Sequence, residues 1–191
     1  RRMGGRAVPE LALVLGMELA DLATLFKEAR RQTHHDEFVV VGSLSALGVL
    51  DPGNLPPRML MSIDVDCYTP KDPGRIFELE AELGQGSRFE ADHGYYLDPI
   101  SPDLPTLPDN WRHRLVRVPL DEGIVVFFLD PNDAAVSKYA RGEPRDREWI
   151  RAGLEAGVLS AGVIASRFRE TAFLDDDEKA RALAALAEDR S

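Results

Sequence analysis

Apolar residues near the start of the chain recur at the spacing of one helix face. Within residues 18–31 they lie three or four positions apart at Leu19, Leu22, Phe26 and Ala29. This period predicts an amphipathic helix over residues 18–31. Pro9 is placed to open a shorter helix before it, since proline is favoured in the first helical turn.

Short apolar runs bounded by turn residues predict the strands of a sheet. The predicted strands cover residues 37–41, 61–68, 94–100, 114–118 and 124–128, and the last two flank a turn that predicts a hairpin. The remaining predicted helices cover residues 43–49, 72–83, 131–141, 144–156, 160–170 and 175–188. Prolines keep the loops 52–57 and 99–108 extended or rigid. This order predicts an α+β or α/β domain over residues 1–142, followed by a helical cap over residues 143–191.

Composition narrows the class of protein. The 191 residues are 44% apolar and 29% charged, which is ordinary for a globular domain with a buried core. No apolar run reaches the roughly 20 residues that span a bilayer. One cysteine, Cys67, gives neither an internal disulfide nor a zinc cluster. These features predict a cytoplasmic protein with no membrane partner.

The charge distribution bears on nucleic-acid binding. A net charge of −10 argues against general nucleic-acid binding as the main task. The segment from Lys138 to Arg151 differs, with five basic and three acidic residues. Such a segment is usually a solvated helix face, and this is our interpretation here. The local excess of positive charge nevertheless leaves an RNA partner open.

Two aspartates on one predicted strand are the strongest candidates for chemistry. Because side chains alternate across a strand, Asp64 and Asp66 face one side, with Ile63 and Val65 buried behind them. Strands disfavour aspartate, and like charges side by side repel unless a cation lies between them. Oxygen ligands suit a hard cation such as Mg²⁺. The pair therefore predicts a magnesium site.

A Gly-Ser turn follows the first predicted strand. At Gly42-Ser43 the free backbone N–H groups of a helix start would favour a phosphate. Most such turns are ordinary, and this one has neither the Gly-x-Gly-x-x-Gly spacing nor the Gly-Lys-Ser/Thr of a P-loop. Combined with the aspartate pair, the turn predicts a metal–nucleotide site.

Other charged residues could complete such a site. Lys138 lies on a mostly apolar face of a predicted helix, so it is either a surface lysine with an apolar-packed stem or a cation for a triphosphate. Asp146 lies in the first turn of the next helix, where the helix dipole favours an acid. A third metal carboxylate would be Asp98 or Asp121. We prefer Asp98 because it lies on a predicted strand.

Histidines and tryptophans are weaker candidates. His34 and His35 are adjacent on an extended chain, so their side chains point apart, and a loop role is favoured over metal binding. Trp111 and Trp149 are interpreted as packing or rim residues rather than as platforms for bases.

These motifs together resemble bacterial minimal nucleotidyltransferases. The resemblance rests on Val41-Gly42-Ser43, Arg58, Ser62-Ile63-Asp64-Val65-Asp66, Ser137-Lys138-Tyr139-Ala140-Arg141 and Pro144-Arg145-Asp146. It covers most of residues 18–170, and it is strongest to a family of unknown function related to abortive-infection-type toxin nucleotidyltransferases. The resemblance implies an α+β fold, with a mixed β-sheet flanked by helices and a helical region at the C-terminal end.

The resemblance also implies roles for individual residues. Gly42 and Ser43 would hold the nucleotide phosphates, Asp64 and Asp66 would hold Mg²⁺, and Lys138 would face the triphosphate. The catalytic candidates are Asp64, Asp66, Asp98, Lys138 and Asp146, and the nucleotide-binding candidates are Gly42, Ser43, Arg58, Lys138, Arg141 and Arg145.

The activity implied is Mg²⁺-dependent transfer of a nucleotide from an NTP to a hydroxyl group. The acceptor would be an RNA such as tRNA, a protein or a small molecule, and the protein would belong to a toxin–antitoxin-type system with a cognate toxin or antitoxin as its partner. The alternative is a nucleotidyltransferase fold without turnover that acts as a binding or antitoxin-like partner protein. A third carboxylate near Asp64 and Asp66 would favour the enzyme.

Overall fold

The computed structural model describes residues 16–49 and 52–190, and the predicted helix at Pro9 lies outside them. These residues form eight α-helices: α1 (Leu19–Thr33), α2 (Pro57–Leu60), α3 (Glu80–Leu83), α4 (Arg88–His93), α5 (Pro131–Arg141), α6 (Pro144–Glu155), α7 (Ala161–Arg169) and α8 (Asp176–Asp189). They also form five strands: β1 (Glu37–Val40), β2 (Asp64–Tyr68), β3 (Tyr96–Pro99), β4 (Val116–Pro119) and β5 (Val125–Phe128). None of the described helices combines the length and the apolar character that crossing a membrane requires.

The five strands form one mixed sheet in the order β3-β2-β1-β5-β4. β1 pairs with β5 in parallel and with β2 antiparallel, while β2 and β3 are parallel neighbours. β4 and β5 are antiparallel, so the predicted hairpin is confirmed. Helices flank this sheet and a helical region follows it, which confirms the predicted α+β class.

The core lies between the sheet and the helices on its faces. The apolar face of α1 is buried, and Phe26 stacks on Phe38 of β1 with ring centroids 4.5 Å apart. Burying large aromatic and aliphatic side chains in this way supplies most of the driving force for folding. The core therefore fixes β1, whose last residue leads directly into the Gly-Ser turn.

The C-terminal helices are joined to one another by buried charges. α5 packs against α6, α7 and α8. Asp133 of α5 is fully buried and pairs with Arg114 at 2.7 Å and with Arg167 of α7 at 3.2 Å. Asp189 of α8 accepts hydrogen bonds from Arg147 of α6 and from the hydroxyl of Tyr139 of α5. These contacts hold α5 and α6 in fixed positions beside the sheet.

Several predicted element boundaries were wrong. The predicted helix 43–49 is a 3₁₀ helix over Gly42–Gly48, and the predicted helix 72–83 is a 3₁₀ helix over Pro73–Leu79 continued by α3. The strand predicted over 61–68 begins only at Asp64, and Pro57 opens the short helix α2 instead of extending the loop. The short helix α4, capped by Ser87, was not predicted.

Candidate active site

A cleft of about 320 Å³ lies between the sheet and helices α5 and α6. It contains nine of the ten residues that the sequence singled out, and the tenth, Gly42, lies next to Asp66. The nine are Ser43, Arg58, Asp64, Asp66, Asp98, Lys138, Arg141, Arg145 and Asp146. The cleft therefore brings the Gly-Ser turn and the aspartate pair together, as one metal–nucleotide site requires, while the chemical role of each residue stays a prediction.

Three carboxylates meet in the cleft because of strand register. β2 and β3 are parallel, with Asp66 opposite Asp98, and alternation along β2 turns Asp64 to the same face as Asp66. One carboxylate oxygen from each of the three lies within 4.8 Å of the others. Asp121, the other candidate for a third carboxylate, lies in the turn between β4 and β5 and is not part of this group.

The three carboxylates repel one another. Burial, together with the charges of Asp64 and Asp98, raises the pKa of Asp66 from 3.8 to about 7. Burial and the charges of Asp64 and Glu80 also raise the pKa of Asp98. A divalent cation between the three would relieve this repulsion, and oxygen-only ligands fit a hard ion such as Mg²⁺. The donor set therefore fits the metal that the sequence predicted.

Two features of position 42 favour glycine. Its φ is +67°, a left-handed conformation that glycine adopts without strain. A Cβ added there would lie 2.1 Å from Oδ2 of Asp66, far inside van der Waals contact. The close approach of the turn to β2 is reinforced by the N–H of Val41, which donates to the carbonyl oxygen of Asp66 at 2.9 Å. The glycine thus lets the turn lie directly against the carboxylates.

Lys138 connects the turn to the helices. Its Nζ donates to Oγ of Ser43 at 3.0 Å and to Oδ1 of Asp146 at 3.1 Å. The side chains of Lys138 and Asp146 are only 5% and 1% exposed, so the interpretation of Lys138 as a surface lysine was wrong. A lysine is almost never buried this deeply without a partner, and here both Asp146 and the turn supply one.

Asp146 is held ionised by two cations. Burial alone would raise the pKa of Asp146, but the hydrogen bonds from Arg141 and Lys138 outweigh it and hold the pKa below its ordinary 3.8. Arg141 donates to both carboxylate oxygens, at 2.7 and 2.6 Å. Burial lowers the pKa of Lys138, although the charge of Asp146 opposes this. Asp146 therefore positions two cations at the edge of the cleft instead of facing the metal site itself.

Trp149 also belongs to this arrangement. The indole Nε1 donates to the carbonyl oxygen of Ser43 at 3.1 Å, and Nζ of Lys138 lies 4.9 Å from the ring centroid. From the sequence we expected Trp149 to be only a packing or rim residue. One signal could have found it, since residues three apart on a helix share a face, and Trp149 lies three residues after Asp146.

The remaining cations of the cleft, Arg58 and Arg145, are more exposed than Lys138. Arg58 pairs with Glu148 of α6, and Arg145 pairs with Glu143 at 2.9 Å. Their side chains are 36% and 64% exposed, so both retain access to solvent and to an anion in the cleft. The cleft thus combines three carboxylates with cations that are open to solvent.

One packing expectation near the site was wrong. Val65 is buried behind the carboxylates as predicted, but Ile63 is 51% exposed. Ile63 precedes the first residue of β2, and its side chain borders an open hollow that Met17 and Tyr95 also line. The exposed apolar side chain of Ile63 therefore borders both this hollow and the cleft.

The basic segment from Lys138 to Arg151 is less available than its composition indicates. All five of its cations pair with carboxylates: Lys138 and Arg141 with Asp146, Arg145 with Glu143, and Arg147 and Arg151 with Asp189. The interpretation as a solvated helix face holds for Arg141, Arg145 and Arg151, whose side chains are at least half exposed. It was wrong for Lys138 and Arg147, whose side chains are 5% and 18% exposed.

Comparison with protein-family models gives a match over most of the chain. Residues 20–188 match the model of a family described as nucleotidyltransferase of unknown function (DUF6036). This match confirms the resemblance inferred from the sequence motifs. No curated protein matches the chain. No solved structure matches it either.

Proposed function

The chain belongs to this nucleotidyltransferase family, and we propose that it transfers a nucleotide from an NTP to a hydroxyl group in a Mg²⁺-dependent reaction. The observation that carries the proposal is the presence of three carboxylates in one cleft with the Gly-Ser turn and four cations. A metal–triphosphate unit needs both halves of this arrangement. The carboxylates bind the metal, and the cations neutralise the phosphates.

The metal would be held by Asp64, Asp66 and Asp98, whose oxygens already lie within 4.8 Å of one another. When bound, Mg²⁺ supplies Lewis-acid stabilisation of charge on the transferring phosphoryl group. Ser43 Oγ and Lys138 Nζ are placed to donate hydrogen bonds to phosphate oxygens beside it. Their fixed positions mean that little reorganisation is needed during the reaction, which is the main source of catalysis in phosphoryl transfer.

The reaction itself exchanges a phosphoanhydride bond of the NTP for a phosphate ester bond to the acceptor. The acceptor oxygen bonds to the α-phosphorus, the bond from that phosphorus to pyrophosphate breaks, and the acceptor proton is released. Developing negative charge on pyrophosphate would be met by the cations that line the cleft, Lys138, Arg58 and Arg145.

Three acceptor classes remain within the proposal: an RNA such as tRNA, a protein, or a small molecule. The carboxylate partners of the cations between Lys138 and Arg151 weaken the case for RNA, because a phosphate backbone would compete with pairs already formed. A place in a toxin–antitoxin-type system, with a cognate toxin or antitoxin as partner, is part of the proposal and rests on the sequence resemblance.

The alternative is a fold retained for binding without turnover. The position of Asp98 beside Asp66 supports the enzyme over this alternative, since a protein without turnover has no need to keep three repelling carboxylates together.

The test is transfer of label from NTPs labelled at the α-phosphate to cell RNA, cell protein or a small-molecule pool. The Asp64→Asn, Asp66→Asn double variant should lose transfer and should also lose the rise in melting temperature that Mg²⁺ with an NTP gives the parent. Asp121→Asn is the matched control, because this exposed aspartate lies in the β4–β5 turn outside the cleft. Unchanged Mg·NTP stabilisation in the double variant would refute the metal site.

A further inference from the structure

A second cavity of about 350 Å³ adjoins the cleft. Asp66, Lys138 and Arg141 line both cavities and form the seam between them. A ligand that contacts these three residues from the cleft therefore lies within one side chain of the second cavity. We call this second cavity the apolar pocket, because most of its walls are formed by apolar residues.

The apolar pocket differs from the cleft in charge. Beyond the seam its walls are formed by Ile100, Leu104 and Pro105 on one side and by Ala134 and Ala140 of α5 on the other. Among the described lining residues, the only cations are Lys138 and Arg141 at the seam. The pocket therefore lacks the charge to hold phosphates and suits an uncharged, largely planar or apolar group.

A few polar residues also line the pocket. Hydroxyls of Thr106 and Ser137 and the carboxylate of Glu178 line the pocket. Glu178 is oriented by accepting a hydrogen bond from the N–H of Leu174 at 2.7 Å. Apolar walls with a small number of placed polar groups are typical of a small-molecule site, in which the polar groups fix orientation.

The wall formed by the proline-rich loop is anchored at both ends. The N–H of Ile100 donates to the carbonyl oxygen of Cys67 at 3.1 Å, and the N–H of Asp109 donates to that of Glu170 at 2.7 Å. Between these points Leu104 is 74% exposed at the mouth of the pocket. A large apolar side chain left this exposed on an anchored loop is available to cover a ligand.

We propose that the apolar pocket binds the base and sugar of the NTP whose phosphates lie in the cleft. This inference rests on the proposed function and deepens it. An NTP is a charged tail joined to an uncharged nucleoside, and the two adjoining cavities have the same division of charge. The seam residues lie where the two parts of the ligand would join.

The acceptor is the competing occupant of the pocket, and the position of Asp98 argues against it. Asp98 lines the cleft but not the apolar pocket, and the exposed Met61 and Ile63 border the cleft on a side that is open to solvent. An acceptor that attacks opposite the departing pyrophosphate can enter from this open side. The pocket beyond Asp66 then remains for the nucleoside.

The experiment compares two probes that differ only in the nucleoside. Mg²⁺ with tripolyphosphate reports on the cleft, and Mg²⁺ with each of the four NTPs reports on the cleft and the pocket together. Thr106→Phe and Ser137→Phe fill the pocket from two different elements, and both residues are half-buried. Ser101→Phe is the matched control, because Ser101 is exposed on the same loop and does not line the pocket.

The expected result is binding of NTP that is weaker by about tenfold or more in both pocket variants, with affinity for tripolyphosphate unchanged. Retained tripolyphosphate binding also shows that each variant is folded. NTP affinity equal to that of the parent would overturn the proposal, and if label transfer were lost at the same time the pocket would be assigned to the acceptor. Equal losses for both probes would also overturn it. A parent protein that binds neither probe would instead overturn the proposed function.

Discussion

Lys138 and Asp146 form a buried ion pair between two successive helices, with Nζ 3.1 Å from Oδ1. The same Nζ lies 3.0 Å from Oγ of Ser43. One carboxylate on α6 thereby fixes a cation of α5 against the turn that follows β1. Asp146 acts on the proposed phosphate site through Lys138 and Arg141, so it is a positioning residue.

Asp146→Asn should therefore destabilise the protein. The amide cannot balance the charges of Lys138 and Arg141, and breaking a buried pair in this way costs about 3–5 kcal/mol. Urea unfolding at pH 7 measures the loss. Asp92→Asn is the control, because its ion pair with Arg88 is exposed and should be worth about 0.5 kcal/mol or less.

The loss in Asp146→Asn should also depend on pH. The pKa of Asp146 is lowered in the folded protein, so its stabilising effect is present above the ordinary pKa of 3.8 and is lost as the pH falls through the folded-state value. The difference in unfolding free energy between parent and variant should therefore shrink below about pH 4. A difference that stayed constant between pH 7 and pH 3 would show that the ionised carboxylate is not the stabilising group.

Lys138→Ala should weaken Mg·NTP binding by roughly 10- to 100-fold, since a hydrogen bond to a charged group is worth about 1.5–3 kcal/mol. Asp146 keeps two hydrogen bonds from Arg141, so the loss in unfolding free energy should be smaller than in Asp146→Asn. Lys138→Arg should restore binding only in part, because a planar guanidinium does not fit the space between Ser43, Asp146 and Trp149 as a compact ammonium does. If Lys138→Ala binds NTP as tightly as the parent does, Lys138 does not contribute to nucleotide binding.

Local pattern was enough to predict much of the site. Alternation along a strand placed Asp64 and Asp66 on one face, and the strand character of the segment around Asp98 favoured it as the third carboxylate. The four C-terminal helices were predicted to within two residues at each end, because their apolar spacing and their proline, serine and aspartate starts are local signals.

Features that depend on tertiary contacts were not predictable in the same way. The burial of Lys138 requires a partner on another helix, and the role of Trp149 requires the carbonyl of Ser43, which lies 106 residues away in the chain. The exposure of Ile63 depends on whether another element of the fold packs over that end of the sheet. The apolar pocket is lined by residues of a loop, of α5 and of α8, which lie far apart in the sequence, so no local pattern indicates it.

Trp149→Phe tests whether the indole N–H positions the turn. Phenylalanine keeps an aromatic ring but removes the donor to Ser43, so stability should fall by about 1 kcal/mol. Affinity for Mg·tripolyphosphate should fall severalfold more than in the control Trp111→Phe, because buried Trp111 does not line the cleft. If the two variants bind tripolyphosphate equally, Trp149 only packs.

Gly42→Ala should abolish metal binding, and Gly86→Ala provides a matched control. Both glycines have positive φ, +67° and +79°, so alanine at either position costs about 1 kcal/mol in backbone strain. At Gly86 a Cβ would meet nothing within 4 Å, whereas at Gly42 it would lie 2.1 Å from Oδ2 of Asp66. Only Gly42→Ala must therefore move the Asp66 carboxylate or the turn.

Thermal unfolding with and without Mg²⁺ should show that Gly86→Ala keeps the metal-induced rise in melting temperature and that Gly42→Ala loses it. If Mg²⁺ raised the melting temperature of Gly42→Ala as much as that of the parent, metal binding would not depend on the position of the Asp66 carboxylate.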